Sequence, residues 1–90
     1  MVDDPFGGSR KRRDRSGIMA EILEVARDGV LKTQIMYRAN LSFAQLNEYL
    51  SLLSDLNLLE AANTSKRTIY KTTEKGSRYL QSYIEIRKML

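Results

Sequence analysis

The chain has 90 residues and a formal net charge of +4, from 15 basic and 11 acidic side chains, with neither cysteine nor histidine. A chain this short builds one small core, and without thiols or imidazoles it has no disulfide framework, zinc–thiolate site, cysteine nucleophile or histidine base. No apolar run reaches the roughly 18 residues that a membrane-spanning helix needs, so a soluble, cytoplasmic protein is expected.

Residues 1–15 carry Pro5 and Gly7-Gly8, then the run from Ser9 to Arg15 with five basic residues and one acid. This stretch lacks apolar periodicity and reads as a disordered basic arm. Residues 16–90 hold ten basic and eight acidic residues, so the folded part is nearly balanced and the arm carries the bias. Arg10, Lys11, Arg12, Arg13 and Arg15 suit the neutralisation of nucleic-acid phosphates. The plainer reading of the same residues is a solubilising tail.

From Ser16 a first helix is expected over 17–28, with Gly29 ending it. Ile18, Ile22, Val25 and Ala26 share one stripe, widened by Met19 and Leu23, and read as core. Val30-Leu31 is too short for an independent strand but long enough to pair with a hairpin edge. Thr33 then reads as the cap of a short helix over 34–39, which Asn40 stops. Ile35 and Met36 face inward, whereas so short a helix leaves the rotation of Tyr37 and Arg38 open.

The clearest local signature follows, from Leu41 to Asn57. Ser42 and Gln45 have capping-box spacing, Leu41 and Leu46 have staple spacing, and Asn57 is a left-handed stop. The helix 43–56 places Phe43, Leu46, Tyr49, Leu50, Leu53 and Leu56 on one face, read as core. Ala44, Asn47, Glu48, Ser51 and Asp55 share the other, free to meet a partner. Two helices joined by so short a link form a helix-turn-helix.

After Asn57 the period changes. Residues 58–72 are expected as a β-hairpin, with the polar stretch Asn63 to Arg67 at its tip and a strand rich in β-branched and aromatic residues returning from it. Thr73 caps a last helix over 74–90. There Tyr79, Tyr83, Ile86 and Leu90 form a short heptad-like seam, with Leu80 and Ile84 beside it. That apolar arc is wider than one small core requires, so these six residues are expected to form a dimer interface.

The stretch KTQIMYRANLSFAQLNEYLSLLSDLNLLE, the junction YKTTEKGSRYLQSYIEI and the opening helix ending in ARDG together resemble the archaeal winged helix-turn-helix DNA-binding proteins, over residues 16–90. The resemblance implies an α+β, mainly α fold: a three-helix core, a β-hairpin wing and a C-terminal dimerisation helix. It also implies a double-stranded DNA-binding regulator or small chromatin protein, nucleoid-associated and homodimeric. Carried over by position, Ser42, Ala44, Gln45, Asn47, Glu48 and Ser51 would face the major groove. Lys32, Thr33 and Arg38 would touch the flanking backbone, and Lys66 and Arg67 would reach out from the wing. One departure stands out: the recognition helix has no lysine or arginine and contains Glu48 and Asp55.

That departure supports a rival expectation, a winged-helix module that docks another protein and does not read bases. An enzyme is not expected. Gly7-Gly8 lacks the spacing of a phosphate loop, and the acids, such as Glu21 with Glu24 and Asp28, lie at the spacing of a solvated helix face. No cofactor, metal or small-molecule ligand is expected, and the five tyrosines read as core or interface.

Overall fold

The computed structural model describes residues 14–90, so Arg10, Lys11, Arg12 and Arg13 of the expected arm lie outside the described residues. Four helices and three strands follow in the order α1 (Arg15–Val25), β1 (Val30–Leu31), α2 (Lys32–Arg38), α3 (Phe43–Asp55), β2 (Leu59–Asn63), β3 (Thr68–Thr72) and α4 (Glu74–Met89). The strands form one antiparallel sheet in the order β1-β3-β2. Val30 pairs with Tyr70 and Leu31 with Ile69, so the short strand does dock on the hairpin edge. Across the hairpin Leu59 pairs with Thr72 and Asn63 with Thr68.

The core is centred on α1. Ile18, Met19, Ala20, Ile22, Leu23 and Ala26 are all buried there, together with Gly17. These positions span more than one stripe, because α1 is covered by α4 on one side and by α2 and β3 on another. Ile35, Leu46, Leu53 and Leu80, each at most 1% exposed, close over it from the other helices. Burying these four, with Ile22 and Leu23 of α1, is worth roughly 1.5–3 kcal/mol each before chain entropy is subtracted.

Helix α1 starts earlier than its apolar pattern suggests. The cap is Asp14, whose Oδ1 accepts from the Gly17 N–H at 2.8 Å. Arg15 is therefore a helical residue and no part of a free arm. The helix also stops earlier, at Val25, before a turn to Gly29, which adopts a φ of 95°. Helix α2 likewise starts at Lys32 and not after Thr33, since the chain passes straight from the β1 pairing into helix. Leu31 stands at the cap and offers no side-chain acceptor, so only the reach-back is made: Gln34 Oε1 accepts from the Leu31 N–H at 2.8 Å.

Asn40 and Asn57 end α2 and α3 in the left-handed region, with φ of 55° and 62°. The capping box of α3 is present in full: Ser42 Oγ accepts from the Gln45 N–H at 3.1 Å, and Gln45 Oε1 accepts from the Ser42 N–H at 3.0 Å.

The passage from β3 into α4 locks the fold. The Thr72 hydroxyl donates to the Leu23 carbonyl at 2.6 Å and its N–H to the Ala26 carbonyl at 3.0 Å, which helps to satisfy the end of α1. Thr73 caps α4 by accepting from the Gly76 N–H, and donates its own hydroxyl to the Asn57 carbonyl at 2.7 Å. Lys75 Nζ donates to the Leu56 carbonyl at 2.9 Å, at the end of α3. A Cβ on Gly76 would sit 2.2 Å from the Leu58 carbonyl oxygen, so only glycine lets α4 approach this closely.

Candidate nucleic-acid interface

Helix α3 turns Leu46, Tyr49, Leu50 and Leu53 into the core, which leaves Ala44, Asn47, Glu48 and Ser51 outward and exposed. The face is flat in chemistry as well as neutral to acidic in charge. Glu48 and Asp55 have no ion-pair partner among the described residues. Ser42 and Gln45 also lie at the surface, but each has part of its polar capacity committed to the capping box. The Gln45 amide keeps its NH₂ donor, whereas its oxygen is occupied, so a two-point contact to adenine would require breaking the box.

Two residues taken as core from their spacing are not. Phe43 is 62% exposed and Leu56 41% exposed. Both lie at the ends of α3, where the helix has passed beyond the reach of the core, although their rotational phase is correct. Phe43 instead carries a cation: Lys32 Nζ sits 4.8 Å from its ring centroid, an attraction that adds to any phosphate-facing role.

Cations flank this acidic helix without lying on it. Lys32 and Thr33, with Leu31, Thr68 and Tyr70, line a groove of about 450 Å³ between the start of α2 and strand β3. Lys32 is thus shared between this groove and Phe43 in the first turn of α3. Arg38 is exposed in the last turn of α2. Arg15 sits on the flank of α3, its guanidinium carbon 5.6 Å from the Tyr49 ring centroid.

Lys66 and Arg67 occupy the wing tip and are exposed. The tip is four registers beyond the Leu59–Thr72 pair, about 13 Å along the strand. Its backbone is nonetheless well defined: Thr64 Oγ1 accepts from the Arg67 N–H at 3.1 Å and donates to the Arg67 carbonyl at 2.8 Å, and Thr68 Oγ1 donates to Asn63 Oδ1 at 2.6 Å. The two cations are thus presented on a stapled turn. Tyr37, 87% exposed, contributes neither core nor a contact on α3.

Helix α4 divides its apolar arc between two surfaces. Leu80 is 1% exposed, deep in the core, and is withdrawn from the expected dimer interface. Tyr79, Tyr83 and Ile84 are half-buried against the same core. The Tyr79 hydroxyl donates to the Ser16 carbonyl at 3.3 Å, and burial raises its pKa above the ordinary 10.0, partly countered by that hydrogen bond. Ile86 and Leu90 are exposed, together with Met89, which spacing alone did not single out. The arc looked uniform because sequence periodicity cannot say which part of an apolar face is already covered within the chain.

Among the described residues no cluster of groups suited to a metal ion occurs, and no helix is long and apolar enough to cross a membrane. A short strand, a two-helix turn with a capped second helix, a hairpin and a closing helix define a winged helix-turn-helix. The chain belongs to that family, whose model matches residues 12–90.

No curated protein matches the sequence. Among solved structures the chain is similar to Sso10a-2, a DNA-binding protein from Sulfolobus solfataricus, at 27% identity and a TM-score of 0.79, over 86% of this chain and 81% of that one. BpsR of Bordetella bronchiseptica, whose DNA binding is regulated by 6-hydroxynicotinic acid, matches at 13% identity and a TM-score of 0.69, over 80% of this chain and 57% of its own. ZitR of Lactococcus lactis, solved in complex with DNA, matches at 16% identity and 0.62, over 86% and 53%. The chain spans a little over half the length of BpsR and ZitR, and at those identities the likeness concerns the fold. The likeness to an archaeal DNA-binding winged helix holds through Sso10a-2.

Proposed function

We propose that the chain binds double-stranded DNA as a transcriptional regulator or small chromatin protein of the nucleoid. It acts as a homodimer and has no catalytic role or resident cofactor. One observation carries the reading: the face of α3 left outside the core is largely polar, and Lys32, which sits over Phe43 at the start of α3, also lines the groove beside the wing strand. Helix α3 enters the major groove with Ala44, Asn47, Glu48 and Ser51 towards the bases. Lys32, Thr33, Arg38, Lys66 and Arg67 hold phosphates, which set register and affinity without reading sequence. DNA binding by Sso10a-2 and ZitR supports the same assignment.

The homodimer rests on α4. Ile86, Met89 and Leu90 are 56%, 82% and 94% exposed on a helix about 24 Å long. Fluorescence anisotropy with duplex DNA across a salt series tests the binding. Affinity should fall steeply with salt, with a slope of about 0.9 per phosphate contact. Sedimentation should give a dimer at micromolar concentration, which Ile86→Asp converts to a folded monomer. A wild-type monomer at high concentration would remove the dimer from the proposal.

The acids on α3 favour one other reading, a winged helix that docks a protein partner through Glu48 and Asp55. A folded chain that shows no salt-sensitive duplex binding would put that reading first.

A further inference from the structure

The first turn of α3 has an unusual surface for a helix meant to enter the major groove. Residues at the N-terminal end of a recognition helix are the ones that approach base edges most closely. Here that turn consists of Ser42, Phe43, Ala44 and Gln45. Ser42 and Gln45 turn their oxygens back on the helix, accepting from one another's backbone N–H groups. What remains facing outward is apolar: the Phe43 ring, 62% exposed, and the Ala44 methyl group.

The core does not account for Phe43. Its neighbour in the same helical phase, Leu46, is fully buried, whereas Phe43 stays mostly in water with Lys32 Nζ 4.8 Å from its ring centroid. The ring therefore lies at the surface against a cation that also lines the groove beside β3. An aromatic ring so placed keeps apolar area available for whatever α3 meets.

The major groove offers one apolar feature at a base edge, the C5-methyl group of thymine; every other readable atom there is a hydrogen-bond donor or acceptor. We propose that Phe43, with Ala44 beside it, reads thymine by enclosing this methyl group. Such a contact supplies base choice without a lysine or arginine on the recognition helix. Lys32 then has two functions: it neutralises phosphate and presents the ring. The free NH₂ of Gln45 can only donate, which suits an acceptor such as the adjacent thymine O4. This inference rests on α3 lying in the major groove, as in the function proposed above.

Uracil differs from thymine only by the methyl group, so replacing thymines one at a time with deoxyuridine isolates the contact. The preferred duplex is first selected from a random pool with the full chain, and each of its thymines is then substituted. Removing one enclosed methyl should weaken wild-type binding about three- to fivefold at one position per half-site, from the transfer free energy of a single buried methyl. In Phe43→Ala that same substitution should have no effect, whereas in Phe43→Leu, which keeps an apolar side chain, part of it should remain. Because Phe43 is exposed, both variants should melt with the wild type. The uracil scan of the wild type decides the matter even if a variant fails to fold. Specific binding that is indifferent to uracil at every thymine overturns the inference and leaves DNA binding standing. So does a uracil effect that persists undiminished in a folded Phe43→Ala. Absence of any duplex binding instead overturns the function on which the inference rests.

Discussion

Between β3 and α4, five consecutive residues each find a partner inside the molecule. Thr72 closes the end of α1, Thr73 caps α4 and ties down Asn57, Glu74 pairs with Arg78 at 3.4 Å, Lys75 caps α3, and Gly76 lies against the Leu58 carbonyl. Along the outward face of α3 the arrangement is reversed. Asn47, Glu48 and Ser51 are exposed, and the Ser42 and Gln45 side chains are engaged at the helix cap. Both regions are polar and both are locally specific in sequence. The difference lies in where the polar groups point: satisfied inward they hold the fold, and left outward they are available to a partner. Substitutions in the first region should change stability and leave base choice alone, and substitutions in the second should do the opposite.

The largest effect is expected from Gly76→Ala. Alanine is the better helix former by about 1 kcal/mol, which on propensity alone would stabilise α4. Its Cβ would meet the Leu58 carbonyl oxygen at 2.2 Å and Thr72 Cγ2 at 2.8 Å, and the first of these is backbone that cannot swing aside. Separating α4 from the β2 entry also stretches the 3.1 Å bond from the Thr73 N–H to the Leu58 carbonyl. Overpacking of this kind dominates, for a net loss of roughly 3 kcal/mol. In a domain this small that lowers Tm by about 10 °C or more. A thermal melt at or above the wild-type midpoint would show that the junction is looser than its geometry implies.

Thr72→Val should come next. The two side chains have nearly the same shape, so the loss is the hydroxyl that donates to the Leu23 carbonyl at 2.6 Å. Thr72 is 7% exposed, and the carbonyl left without this donor costs about 1–3 kcal/mol. Urea titration should show a lower midpoint with an unchanged slope. Equal relative affinities for preferred and random duplexes, before and after the substitution, would confirm that this residue holds structure and does not read DNA.

Much of the inward-facing region was legible because its signals are local. The Ser42–Gln45 box, the Asn40 and Asn57 stops and the Thr73 cap depend on residues three or four apart, and all four are found. The pairing of Val30-Leu31 with the hairpin was legible for a similar reason, since the strand that receives it is rich in β-branched and aromatic residues. What depends on distant coverage was not. Phe43 and Leu56 have the phase of core residues but lie past its edges, while Leu80 has the phase of an interface residue but is covered by α1. Nor does the α1 stripe show that the helix is enclosed on more than one side, because Gly17 and Ala20 look like spacers until another helix rests on them. Thr33 was misjudged because β1 runs into α2 without a loop, so the cap falls on Leu31 and the reach-back on Gln34.

On α3, Asn47→Ala should leave the melting temperature within error, because the side chain is exposed and lies on the face opposite the core. Loss of one well-formed base contact costs roughly 1–3 kcal/mol at the preferred site and relaxes choice at one or two base pairs. Lys66→Ala at the wing tip makes a useful contrast, since it should weaken all duplexes alike. If Asn47→Ala also weakened random DNA by the same factor, the residue would be touching backbone, and the division between reading and holding would lie elsewhere on the surface.

Glu48→Gln should have the smallest effect and is the most discriminating. The carboxylate is exposed and has no ion-pair partner among the described residues, so it has no internal role for the substitution to disturb. Brought against a duplex it meets like charge. The neutral amide of the same shape should therefore tighten binding to every sequence, by about two- to fivefold at low salt and less as screening grows. A glutamate that accepts from cytosine N4 would behave otherwise: the preferred duplex would weaken while random DNA stayed nearly unchanged. The two outcomes differ in sign, so isotherms on one preferred and one random duplex at two salt concentrations separate them. A third outcome, in which neither Glu48→Gln nor Asn47→Ala alters DNA affinity in a folded protein, would take α3 out of the groove. Its acids would then be the partners of a basic protein surface, and the wing with its flanking cations would be left to account for any DNA binding that remained.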